Sequence, residues 1–477
     1  MNSQKWPKNT PVKALLLICI MIAIAFLTAI KYYRKPLLPE RQPCMTIFVH
    51  GSFGTLLGFL SLTDLLKDRM SGTTYREVTK KMRMDDFFFK DQPILNRGLK
   101  QITPTMDPKK VLNRKYAIYP IAKAFQIIEQ AIKPHKSSDL FYTFGWTGMM
   151  SQQSRRFESI RFYNALTEEL ARLKQNNIIP RIRLIAHSHG GNICLNLAAI
   201  HNIITQKQFD KKHQFSTDQD AQESIIKTLT IFETLGTKEM AKMRPDQKAF
   251  DYLPFVSSLH IDELIMLGTP IQPETEAFCY APLFSSVYNI YSDEDMVQKI
   301  DWVSSKQALS NAKITKQRPK EGPANRVIQV KIKTHDAEQT ATPGSSESEQ
   351  PLLQSLLAGK NIFSRGSAAP THKELWFLTW KNDTQAFNFP IAPLPVVTIV
   401  PMITHAMQKA HTDDATITLK HDKNHFSVIA SDETKVLGKA TIPQKLITAL
   451  QAKTEPWAPA DRTGISEFEA VYKHLTK

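Results

Sequence analysis

The sequence predicts an α/β fold built on a mostly parallel sheet with helices on both faces, and three observations predict it. An apolar run at residues 182–186 ends at His187-Ser188, two glycines follow at 190 and 191, and a helix-compatible stretch covers 192–200. Further apolar runs end at glycine or in polar loops, at 139–146, 262–270, 287–292 and 326–332. Helical patterns separate these runs, notably at 157–173, where Ile160, Ala165, Leu166, Leu170 and Leu173 recur near helical spacing. Strands that alternate with helices favour a parallel sheet covered on both sides.

In chain order, residues 14–30 are an uninterrupted apolar run with Lys13 before it and Lys31, Arg34 and Lys35 after it. A helix of that length nearly crosses a hydrocarbon core of about 30 Å. A cleaved signal peptide is the rival reading, but no small-x-small cleavage site follows. The expectation is therefore an uncleaved N-terminal transmembrane helix and a single-pass membrane location. Basic residues flank both ends, so no orientation follows. The proline-containing residues 32–43 read as a stiff linker, making 1–42 an anchor-and-linker unit.

The run 45–49 reads as a buried strand entering the turn His50-Gly51-Ser52. Residues 62–138 separate it from the strand at 139–146, with 122–132 helical in pattern. The insertion at 202–259 begins polar and basic and then turns mixed. After the strand at 326–332, residues 337–350 are rich in Thr, Ser, Glu and Gln and read as disordered, the insertion extending over 337–365. Order resumes at 369–376. Short strand-like runs at 375–380, 396–400, 416–419 and 426–429, with Pro390, Pro393 and Pro395 between them and a helical pattern at 443–452, suggest a small β-rich C-terminal unit over 373–477.

The turn at Ser188 carries the chemistry. The motif Ala186-His187-Ser188-His189-Gly190 is a G-x-S-x-G pattern with alanine at its first position. Small residues are needed two places either side of the serine because the backbones of strand and helix nearly touch there. A serine hydroxyl is a weak nucleophile until a base takes its proton and donors hold the oxyanion that forms. Such a bend lifts the hydroxyl off the sheet, and the N–H of His189 points into the same space. The partial positive charge of the helix N-terminus adds to it.

With Val49-His50-Gly51-Ser52, Leu267-Gly268-Thr269-Pro270 and Tyr291-Ser292-x-x-Asp295-x-Val297, these residues resemble the α/β-hydrolase superfamily on its lipase and esterase side, from residue 43 to about 333. The resemblance implies a hydrolase domain over 43–372 and a triad in the order serine, acid, histidine. It implies a second oxyanion N–H from Ser52. Of Asp293, Glu294 and Asp295, it selects Asp295, which precedes an apolar pair. His372, in Pro370-Thr371-His372-Lys373-Glu374-Leu375, resembles the histidine loop of lipase-like hydrolases; His425 is the alternative, although it sits among strand-like runs. His335 follows the last expected strand of the sheet at the edge of the polar run. His187 and His189 are read as packing and turn residues. In lipases, insertions such as 62–138 and 202–259 often form lids.

The net charge of +16 is spread along the chain, which favours tolerance of anionic lipid headgroups over nucleic-acid reading. No P-loop, H-E-x-x-H, zinc-finger spacing or dinucleotide fingerprint is present. His421 and His425 are spaced as metal ligands could be, but read as a hairpin surface pair. Cys19, Cys44, Cys194 and Cys279 imply no disulfide framework. The expectation is a membrane-anchored serine hydrolase that cleaves carboxylic esters, those of lipids above all, with catalytic Ser188, Asp295 and His372, oxyanion donors Ser52 and His189, and neither cofactor nor metal. Acyl transfer on the same residues, or a non-catalytic binding module at the membrane, are the other readings.

Overall fold

The strand β1 (Cys44–Val49) is buried at every position. Its side chains alternate between two apolar layers: Phe48 enters one, and Met45, Ile47 and Val49 enter the other. β4 (Arg181–His187) divides in the same way, with Ile185 on one side and Leu184 and Ala186 on the other. A strand covered on both faces must be apolar at odd and even positions alike. The computed structural model describes residues 20–21, 42–52, 98–111, 117–134, 139–146, 152–206, 259–295, 298, 312–315, 325–334, 369–378, 389–432 and 434–458.

Ten strands form one mixed, mostly parallel sheet, in the order β10-β9-β8-β7-β6-β5-β4-β1-β3-β2. β3 (Leu140–Gly145), β1, β4, β5 (Ile261–Leu267), β6 (Phe284–Tyr291), β7 (Arg326–Thr334) and β8 (Asp414–His421) run parallel. β2 (Gly98–Ile102) is antiparallel at one edge; β9 (His425–Ser431) and β10 (Val436–Pro443) are antiparallel at the other. β1 lies between β3 and β4, so the loop that leaves it emerges beside the end of β4.

On one face lies α1 (Ile118–Ile132), whose Ile118, Ile121, Ala122, Phe125 and Ile128 follow helical spacing into the core. α4 (Val400–Ala410) packs against α1 and shares that layer. The other face is covered by α2 (Gln152–Gln175) and α3 (His189–Gln206), which pack on each other. α2 ends where Asn177 takes a left-handed conformation (φ 58°) and the Ile178 N–H reaches back to the Leu173 carbonyl. α5 (Gln444–Thr454) follows β10.

Two expectations are corrected here. No helix of the described residues is long and apolar enough to cross a membrane. α2 has the length but is rich in charged side chains, and α3, with 18 residues, is interrupted by Asn192, Asn196, His201 and Asn202, where a span needs about 20 predominantly apolar residues. The expected run at 14–30 enters the described residues at Ile20 and Met21 alone. The transmembrane helix, and the single-pass membrane location drawn from it, are corrected accordingly. Nor is there a separate β-rich unit after residue 372. β8 pairs in parallel with β7, and Ile417, Leu419, Phe426 and Val428 join the core layer that β7 supplies with Ile328, Val330 and Ile332. Of the runs expected as strands at 375–380 and 396–400, residues 375–378 form turns, 379–380 lie outside the described residues, and 396–400 is helical. Val396–Ile399 is a 3₁₀ turn entering α4, since short buried apolar runs have no period that separates strand from helix. Most of the two expected insertions, at 62–97 and 207–258, and the polar run at 337–365 lie outside the described residues.

One buried ion cluster ties the sheet to α1. Arg183 pairs with Glu263 at 2.6 Å and with Glu129 at 3.0 Å, and its guanidinium lies over the Phe125 ring. Burial alone would push the Glu263 carboxyl up, and Arg183 beside it holds it below its ordinary value. Removing one partner of a buried pair strands the other charge, which costs about 3–5 kcal/mol. Arg183 is shared by both carboxylates, so Arg183→Met strands them and is expected to lower stability by about 3–5 kcal/mol, read as a shift in the urea unfolding midpoint at constant slope.

Candidate active site

Ser188 follows the last residue of β4 and precedes the first of α3, in a left-handed backbone conformation (φ 52°). A serine held there costs about 1–3 kcal/mol, which the surroundings must over-determine. They do so through backbone ties: the Ser188 N–H donates to the Leu267 carbonyl at 2.9 Å, and the Gly191 N–H to the Ser188 carbonyl at 3.0 Å. Gly190 is required by close approach, because a Cβ there would sit 2.5 Å from the His50 carbonyl oxygen and 2.8 Å from that of Val49. A Cβ on Gly51 would sit 2.5 Å from the Ser188 Cβ. The turn after β1 therefore rests directly on the serine. Ala186, two places before it, is fully buried.

The turn after β1 is pinned by Trp146, the residue following β3. The Trp146 N–H donates to His50 Nε2 at 3.1 Å, and its indole N–H to the His50 carbonyl at 2.6 Å; the two rings stack at 5.4 Å. His50 Nδ1 in turn donates to the Gly51 carbonyl at 2.7 Å. This bonding fixes the neutral Nδ1–H form of His50 and occupies both ring nitrogens. Ser52 is buried beside it, and its hydroxyl finds no hydrogen-bond partner among the described residues.

The three acidic residues after β6 have separate fates. Asp293 is exposed and ion-paired to Lys331. Asp295 is completely buried: its Oδ1 accepts from the Gln298 N–H at 3.2 Å, and its Oδ2 lies 2.8 Å from His372 Nδ1. Gln298 also donates its side-chain amide to the Thr269 carbonyl at 2.9 Å, bracing the loop after β5. That loop turns at Gly268 (φ 59°), where a Cβ would come 2.6 Å from Asp295 Oδ2 and 3.0 Å from His372 Nδ1.

His372 is itself buried, and its Nε2 has no hydrogen-bond partner among the described residues. Its ring lies 4.3 Å from the ring of His187, the neighbour of the serine. Ser188, Asp295, His372, Ser52 and His189 are thus buried around one turn at the ends of β1, β4, β5 and β6. His425 is placed elsewhere. It opens β9 with its side chain half exposed, 3.8 Å from Asp422 across a hairpin turn. The two nitrogens of His421 face the Gln444 side chain and the Pro390 carbonyl, so the spacing to His425 does not form a shared site. His335 lies outside the described residues.

Sequence reasoning missed the supports. Trp146 and Gln298 carry no motif, and their partners are distant in the chain. Asn192 is another: its amide donates to the Pro270 carbonyl at 3.0 Å and its oxygen accepts from the Thr275 hydroxyl at 2.6 Å, locking α3 to the loop after β5. A polar residue in an otherwise apolar helix was the one available signal.

His187 is fully buried, and burial first, then the neighbouring His372, push its pKa well below the ordinary range. The unfolded chain binds a proton at this residue near pH 6.5, and the folded chain does not. Stability is therefore fully present above about pH 6.5 and falls as pH drops below it, by about 1.4 kcal/mol per unit for each such group. A thermal midpoint that declines between pH 7 and pH 5, and declines less steeply in His187→Gln, is the expected result.

No family model matches this chain, and comparison with curated proteins and with solved structures likewise finds no match.

Proposed function

We propose that this chain is a serine hydrolase of the α/β-hydrolase kind that cleaves carboxylic esters through an acyl-enzyme. Ser188 Oγ attacks the acyl carbonyl carbon. His372 Nε2 takes the hydroxyl proton and returns it to the departing alcohol. Asp295 accepts the Nδ1–H of His372, which holds the tautomer with Nε2 free to accept. The N–H groups of His189 and Ser52 hold the oxyanion, each such donor being worth about 3 kcal/mol. Water, activated by the same histidine, then releases the acid. The chemistry calls for no metal and no cofactor.

The observation that carries the reading is the 2.8 Å contact of His372 Nδ1 with buried Asp295, which leaves Nε2 unpartnered on a ring packed 4.3 Å from that of His187, the residue before a serine held at φ 52°. A buried polar atom without a partner costs about 1–3 kcal/mol; His187 Nδ1 is another such atom, but on His372 the other nitrogen faces a buried carboxylate, the arrangement a general base requires. The test is labelling of the full chain by a fluorophosphonate, which needs an activated serine. Phosphonylation at Ser188, located by mass spectrometry of the digest, supports the reading. Folded protein that stays unlabelled at Ser188 points instead to a non-catalytic binding module.

A further inference from the structure

His187 is buried next to the candidate nucleophile, yet the reaction above gives it nothing to do. Its Nε2 lies 3.1 Å from the His372 carbonyl oxygen. A carbonyl only accepts, so His187 is the donor, in its Nε2–H form. The ring is held by its neighbours: it stacks on Trp376 at 5.4 Å with 11° between planes, and Phe377 meets it edge-on at 5.5 Å. Both aromatic residues belong to the loop that carries His372.

That loop, residues 369–378, has no helix or strand of its own. Its ties lie at neighbouring residues: the Thr371 N–H to the Glu374 carboxylate, the Trp376 and Phe377 N–H groups to the Lys373 carbonyl, and the Val396 and Val397 N–H groups to the carbonyls of Glu374 and Leu375. At His372 itself, the carbonyl is held by His187. We propose that His187 is a positioning residue, resting on the hydrolase reading above: its Nε2–H fixes the His372 peptide and so sets where the His372 ring stands relative to Ser188. The device is short. His187 and Ser188 share a peptide bond, so base and nucleophile are referenced to the same point of β4 rather than through two independent loops.

A displacement of about 1 Å at a reacting pair costs on the order of 100-fold in rate. His187→Phe keeps a flat ring for Trp376 but removes the donor. It is expected to lower kcat for p-nitrophenyl acetate by about 10- to 100-fold with KM changed less than about twofold. His187→Gln carries an amide N–H that reaches the same carbonyl, and is expected to recover most of that loss. In the downfield proton spectrum, the resonance of the His372 Nδ1–H shared with Asp295 should broaden or shift in His187→Phe and return in His187→Gln. The inference is overturned if His187→Phe melts like the wild type and turns over within about twofold of it. It is overturned equally if His187→Gln, folded, is as slow as His187→Phe. Should His187→Phe fail to fold, the comparison rests on His187→Gln alone: near-native kcat supports the amide as sufficient donor, and a loss as large as that expected for His187→Phe refutes it. Failure of the hydrolase reading is a separate result, since it would show as wild-type protein that no fluorophosphonate labels.

Discussion

Ser188→Ala is expected to reduce the hydrolysis of a soluble activated ester by about 10⁴- to 10⁶-fold, with a melting temperature within a few degrees of the wild type. The size follows from the chemistry. Without the hydroxyl no acyl-enzyme forms, and what survives is attack by water on an ester held by the remaining donors. The fold should tolerate the change because the ties at this position are made by the backbone, from the Ser188 N–H to the Leu267 carbonyl and from the Gly191 N–H to the Ser188 carbonyl. Alanine keeps the Cβ that rests against Gly51. The φ of 52° disfavours alanine and serine alike, whereas glycine is at ease there. Ser188→Gly should therefore be as inactive and more stable. Steady-state rates with calorimetry on the three proteins check both halves. An alanine variant that retains more than about a hundredth of wild-type turnover would move the nucleophile elsewhere.

Asp295→Asn is the second large effect, about 10⁴-fold in kcat. Asp295 Oδ1 is already engaged by the Gln298 N–H, so an asparagine oxygen takes that place and the amide NH₂ faces His372. A donor opposite Nδ1 forces that nitrogen to accept. The imidazole proton then moves to Nε2, and the nitrogen facing Ser188 can no longer take the hydroxyl proton. The shape of the site is nearly unchanged, so KM and the far-ultraviolet circular dichroism should hold while kcat falls. A loss smaller than about tenfold would mean that His372 does not depend on Asp295 for its tautomer.

The parts legible in the sequence are those that local pattern dictates. The runs at 45–49, 140–145, 182–187, 262–267, 287–291 and 326–332 are strands, because each is a short apolar segment closed by glycine or polar residues. The bend at Ser188 could be read because its glycines answer a steric need within a few residues. The juxtaposition of Asp295 with His372 could not be read from spacing, since 77 residues separate them. Resemblance to known hydrolases supplied that pairing. Of the C-terminal strands, β8 and β9 read as strands from the sequence but as parts of a separate unit, and β10 is not read as a strand at all. Nothing local in Ile417 or Leu419 distinguishes pairing with β7 from pairing within a small sheet. The apolar residues at 396–399 looked extended for the opposite reason: β-branched composition favours a strand in isolation, and burial against the core overrode it. The apolar N-terminal run invited a membrane span on length and hydropathy alone, with no fold around it to weigh.

The meeting of the chain at Gly51 and Gly190 has a practical corollary for anyone who would mutate this protein. At both positions the space for one more carbon atom is already filled, by a backbone oxygen in one case and by the serine itself in the other. Residues 49–51 and 188–191 thus pack against each other with no room for an added side chain at Gly51 or Gly190. A mutant library that randomises either stretch would be expected to yield mostly misfolded members, and diversity is better sought in the loops beyond them.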